Sequence, residues 1–84
     1  MTEQQIQSKI IKRLESQGFF VIKLIKTSKN GIPDLLALKD GKAKFIEVKK
    51  PAVGIVSEIQ KYRIKELEKY GFETSILSSE QGIS

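Results

Sequence analysis

The stretch Gly31-Ile32-Pro33-Asp34-Leu35-Leu36-Ala37-Leu38-Lys39-Asp40-Gly41-Lys42-Ala43-Lys44-Phe45-Ile46-Glu47-Val48-Lys49 decides the fold. Asp-Gly between two apolar runs is a strong hairpin signal, because a tight two-residue turn needs positive φ at both central positions. Strands over 34–38 and 43–48 follow. With Asp40 and Gly41 central, opposed residues pair Lys39 with Lys42, Leu36 with Phe45 and Asp34 with Glu47. Two carboxylates then face each other, and like charges so placed destabilise a sheet. Lys49, two residues past Glu47, shares their face. The expected face shows Asp34, Glu47 and Lys49 at the open end of the hairpin, continued by Leu36, Leu38, Ala43 and Phe45 as an apolar floor.

Outward from the hairpin, Thr2 and Gln5 have capping-box spacing, and Ile6, Ile10, Ile11 and Leu14 recur with helical period up to Gly18, predicting a helix over 3–17. Phe19 to Ile25 reads as a strand and 27–31 as a loop. Gly31 frees the backbone before Pro33, which restricts Ile32 to an extended conformation and delivers Asp34 to the sheet edge. Ser57 and Gln60 repeat the capping-box spacing and open a second helix that runs to about Tyr70 and stops at Gly71. Glu73 to Leu77 is a last strand, and 78–84 is expected to be a loose tail. Phe19, Phe20 and Phe45 are assigned to the core. The order αβββαβ within one domain over 1–84 gives the α+β class.

The composition removes many chemistries. Among 84 residues there is no cysteine and no histidine, so zinc fingers, thiolate sites and histidine bases are excluded, and catalysis must rest on carboxylates, lysines and hydroxyls. A chain this short buries only ~60% of its unfolded surface, so the core is thin, an argument for a two-fold dimer. No apolar run approaches a membrane span and the N-terminus is polar, so a soluble, cytoplasmic protein without membrane contact is expected. The formal charge is +5. Eight lysines against three acids between residues 23 and 50 account for all of it. Such a segment suits a polyanion, and it equally suits a solvated hairpin that resists edge-to-edge aggregation.

Two opposed carboxylates with no nitrogen or sulfur ligand at hand suit a hard divalent cation such as Mg²⁺ or Mn²⁺. The same three residues also make sense as a surface salt-bridge cluster, and spacing alone leaves both readings open.

Pro33-Asp34, the hairpin, then Glu47-Val48-Lys49 resembles the Pro-Asp…(Asp/Glu)-X-Lys signature of the restriction-endonuclease-like nucleases. With the preceding helix and strand and the helix opened by Ser57-Glu58-Ile59-Gln60, the arrangement over residues 3–78 is similar to the virus-type replication-repair nuclease (VRR-NUC) branch. The resemblance implies a central mixed sheet flanked by helices, and a metal-dependent endonuclease acting on DNA, with branched DNA such as Holliday junctions as substrate, as a homodimer and without a small-molecule cofactor. It implies Asp34, Glu47 and the carbonyl of Val48 as metal ligands, Lys49 as catalytic lysine and Gln60 as support from the second helix, though Gln60 also fits as a mere capping partner of Ser57. Glu3 matches an accessory acidic position, but fits better as a favourable acid at a helix N-terminus. Lys23, Lys26, Lys29, Lys50 and Arg63 are candidate phosphate contacts. Tyr62 and Tyr70 fit base stacking or a core edge. Size and resemblance point to a phage or mobile-element protein in a bacterial cytoplasm. The competing readings are a non-catalytic DNA-binding module on a nuclease scaffold, and an interaction protein with a lysine-rich hairpin.

Overall fold

The computed structural model describes residues 1–51 and 55–83. Its elements are α1 (Glu3–Ser16), β1 (Phe20–Lys23), β2 (Leu35–Lys39), β3 (Lys42–Val48), α2 (Glu58–Lys69), β4 (Thr74–Leu77) and a 3-10 turn over Glu80–Gly82. The strands form one sheet in the order β1-β2-β3-β4. β1, β2 and β3 are antiparallel neighbours, and β4 joins β3 in parallel after a crossover that contains α2. A mixed sheet with flanking helices is the α+β arrangement expected.

The turn behaves as its two residues dictate. Asp40 and Gly41 both have positive φ (52° and 75°), and the register pairs Lys39 with Lys42 and Leu36 with Phe45. Both helices open with a complete capping box, Thr2/Gln5 on α1 and Ser57/Gln60 on α2. They also close alike. Gly18 and Phe19 donate back to the Glu15 and Leu14 carbonyls, and Gly71 and Phe72 to those of Glu68 and Leu67, which satisfies carbonyls the helix itself leaves open.

The core lies on one face of the sheet. Ile6, Ile10 and Leu14, one stripe of α1, pack with Leu35, Ala37, Ile46 and Val48. Alternation places Leu36, Leu38, Ala43 and Phe45 on the opposite face, where they are only half-buried. The floor expected beneath the carboxylates is therefore the thinner of two apolar layers. Phe20 shares that side and is 67% exposed, which corrects its assignment to the core. Phe19 does pack against the core cluster, and Phe45 meets Phe72 edge-to-face at 6.4 Å.

Two other expectations shift. β1 is shorter than 19–25 because its partner β2 offers only five residues, and the last bond of the pair is Leu24 N–H to the Asp34 carbonyl (2.8 Å). The segment from residue 78, expected to be loose, instead makes the 3-10 turn and returns Ile83 against the core; Ser84 lies outside the described residues. An apolar side chain within the polar segment explains the difference, since it can bury area against α1's face of the sheet. Among the described residues no helix is long and apolar enough to cross a membrane.

This two-faced sheet predicts unequal costs. Ile10→Ala should lower the unfolding free energy in urea by ~2–5 kcal/mol, whereas Phe20→Ala should stay within ~0.5 kcal/mol. Similar losses for both would place the core on the wrong face.

Candidate active site

β2 and β3 carry the site at the end of the hairpin away from its turn. The last paired residues there are Leu35 and Ile46, so Asp34 and Glu47 are the next pair along the same register. Asp34 does not continue the ladder. Its Oδ2 accepts the Val48 backbone N–H at 2.9 Å, a bond that aims the carboxylate along β3.

Glu47 is the buried partner. Only 2% of it is exposed, yet it is a carboxylate beside another carboxylate. Lys49, two residues on and on the same face, brings Nζ to 3.2 Å from Glu47 Oε2. Gln60 of α2 donates from Nε2 to that same oxygen at 2.7 Å. Burial and the Asp34 charge push the Glu47 carboxyl above its ordinary range, and Lys49 and Gln60 pull the other way without cancelling them. Oε1 is buried and has no hydrogen-bond partner among the described residues. An unmet buried acceptor is costly, and a site that retains one calls for an explanation.

Gln60 makes the contacts that each of its two expected roles needs. Its Oε1 accepts the Ser57 N–H at 3.0 Å while Ser57 Oγ accepts the Gln60 N–H at 3.3 Å. With the amide oxygen committed to the cap, the NH₂ end is the one that faces Glu47. The salt-bridge alternative is met only in part. Lys49 pairs with Glu47, and Asp34 has the Val48 amide instead.

Other candidates lie apart from this cluster. Among the described residues no group of three or more His, Cys, Asp or Glu stands together, so Glu3 does not join Asp34 and Glu47. Lys23, Lys26, Lys29 and Lys50 are exposed. Arg63 is not available in the same way: its side chain is 13% exposed and held by Glu66 at 2.7 Å and by the Asn30 carbonyl at 2.9 Å. Tyr62 and Tyr70 are exposed, and the Arg63 guanidinium lies 5.3 Å from the Tyr62 ring centroid.

Gly31 has a second function that its sequence position did not disclose. It has φ +79°, and a Cβ there would lie 2.7 Å from the Ile59 carbonyl oxygen on α2. The loop before Asp34 and the first turn of α2 thus touch backbone to backbone. Only the glycine itself signals this in the sequence, since its partner lies 28 residues on.

The chain resembles known domains over nearly its whole length. The family model of the VRR-NUC domain matches residues 1–81. A solved structure titled VRR_NUC domain superposes with a TM-score of 0.84 at 30% identity, covering 95% of this chain and 87% of that one. Among curated proteins none matches. A match over nearly the whole chain, together with the shared fold, shows that this protein belongs to the VRR-NUC family of nuclease-type, DNA-processing domains.

Proposed function

We propose that the protein is a divalent-metal-dependent endonuclease that hydrolyses DNA phosphodiester bonds, with branched DNA as substrate and a two-fold dimer as the working form. The observation that carries the catalytic part is Glu47, whose buried carboxylate leaves Oε1 without a partner beside Asp34 and Lys49. A cation would meet that oxygen. The donor set is all oxygen, so it fits a hard ion, Mg²⁺ or Mn²⁺. Asp34, Glu47 and the Val48 carbonyl would hold it, with water and substrate phosphate completing the shell. When bound, such an ion lowers the pKa of water and polarises the phosphoryl oxygen.

The protein's own residues divide the remaining work. The Val48 N–H fixes Asp34, and Gln60 fixes Glu47, so neither carboxylate has to be ordered when substrate arrives. Lys49 sets an ammonium at the same oxygen that Gln60 holds, where it can orient the attacking water and offset charge building on the phosphoryl group. Exposed Lys26, Lys29 and Lys50 supply contacts to the DNA backbone. The dimer rests on the thin core and on apolar side chains left exposed on the second sheet face, Phe20 and Ile76 among them.

With four-way-junction and linear duplex DNA, cleavage should require Mn²⁺ or Mg²⁺ and disappear in Asp34→Ala. Lys49→Ala should cut ~10²–10³-fold more slowly while binding DNA nearly as well. Parent-like cutting by either variant sinks the assignment, and binding with no cutting by the parent indicates a DNA-binding module.

A stability measurement tests the buried carboxylate separately. In EDTA at pH 7, Glu47→Gln should be more stable than the parent by about 1 kcal/mol, because burial penalises the charged form. A folded-state pKa raised above the unfolded value favours folding once the group is protonated. The parent should therefore gain on the variant as pH falls into the carboxylate range. A variant less stable at pH 7, or a gap that widens on acidification, contradicts this account of Glu47.

A further inference from the structure

Arg63 would serve poorly as a phosphate contact. Its guanidinium is mostly covered, Glu66 neutralises it at 2.7 Å, and its Nε donates to the Asn30 carbonyl at 2.9 Å. That carbonyl starts the loop Asn30-Gly31-Ile32-Pro33 that runs directly into Asp34. At the next residue the loop touches α2 again, where the space beside Gly31 is closed by the Ile59 backbone. Ile59 and Arg63 are one helical turn apart, and Gln60 lies between them on the same helix. α2 has no fully buried residue, so apolar packing alone does not set its seat. Polar contacts with the loop must contribute.

We propose that Arg63 is a positioning residue for the active site: by clamping the Asn30 carbonyl it seats α2 against Gly31 and so keeps Gln60 on Glu47. Arginine suits the task because one planar group serves two acceptors at once, Asn30 O and the Glu66 carboxylate, which a lysine ammonium on a flexible stem does less well. The clamp ties together the two segments that deliver Asp34 and Gln60. Its catalytic meaning rests on the nuclease proposal, but the clamp itself has a readout that does not.

The test uses ¹⁵N-labelled protein without metal, in which the Gln60 side-chain NH₂ is observed directly. In Arg63→Met this resonance should move toward that of a solvent-exposed amide and exchange faster. Gly31→Ala should do the same without removing any charge, and Arg63→Lys should give a smaller change in the same direction. The Mn²⁺ concentration giving half-maximal thermal shift should rise about tenfold in Arg63→Met, the lower end of what losing an outer partner of a metal ligand does. kcat should fall by a similar factor, while KM for DNA and the salt dependence of DNA affinity stay as in the parent. A Gln60 resonance unchanged in all three variants overturns the proposal. So does a salt slope reduced by ~0.9 in Arg63→Met, which would mark a lost phosphate contact. If the parent neither cleaves DNA nor responds to Mn²⁺, the nuclease proposal fails and the Gln60 resonance still decides the clamp.

Discussion

The carboxylate of Glu47 is the constraint around which the rest of the second sheet face is arranged. A charged group this deeply covered forfeits its hydration, and what it receives in return is incomplete: Lys49 and Gln60 both address Oε2, and Oε1 has no hydrogen-bond partner among the described residues. Asp34 beside it makes ionisation harder still. A domain optimised only for stability would place a neutral or apolar side chain at this position. Among the described residues Thr74 Oγ1 is the other buried polar side-chain atom without a hydrogen-bond partner, and each such group calls for an explanation. The fold tolerates the cost because its stability is built elsewhere, on the α1 side of the sheet.

That separation follows from how the two helices are held. α1 drives Ile6, Ile10 and Leu14 into Leu35, Ala37, Ile46 and Val48, an apolar interface that needs no particular side-chain orientation to be favourable. α2 buries no residue fully. Its attachment near the site depends on directional bonds, Gln60 to Glu47 and Arg63 to Asn30, and on the backbone contact allowed by Gly31. Directional bonds fix a rotation and a height, which an apolar stripe does only loosely. The helix that must place one amide against one carboxylate is the helix held in that way.

Local rules made much of this legible. Asp40-Gly41 imposes its turn and hence the register, and the register alone brings Asp34, Glu47 and Lys49 together. The capping boxes and terminal glycines bound both helices. What the sequence did not disclose is information that is not local. Leu35-Leu36-Ala37-Leu38 is apolar on both faces, so alternation does not say which face α1 covers, and Phe20 reads as a core residue although it lies exposed on the other face. Gly31 is required by the Ile59 carbonyl, and Arg63 is turned inward by the Asn30 carbonyl 33 residues away. Neither partner is a side chain, so no residue type advertises the contact. Gln60 was ambiguous because a capping box uses only one end of the amide, and the other end is fixed only when the helix is seated.

The charge layout has a further consequence for how substrate is handled. Asp34 and Glu47 together oppose the approach of a phosphodiester, and Lys49, already drawn to Glu47 Oε2, offsets one of the two charges. Arg63 adds nothing, being matched by Glu66. On the proposed function, attraction for a DNA backbone would come from lysines outside the cluster, and exposed Lys26, Lys29 and Lys50 lie in the segment that carries the whole net charge of the chain. Contacts of that kind are long-ranged, salt-sensitive and indifferent to sequence. On the proposed function, holding DNA and accepting its scissile phosphate are electrostatically distinct tasks, the first served by a lysine-rich rim and the second by a cation that would reverse the sign of the centre.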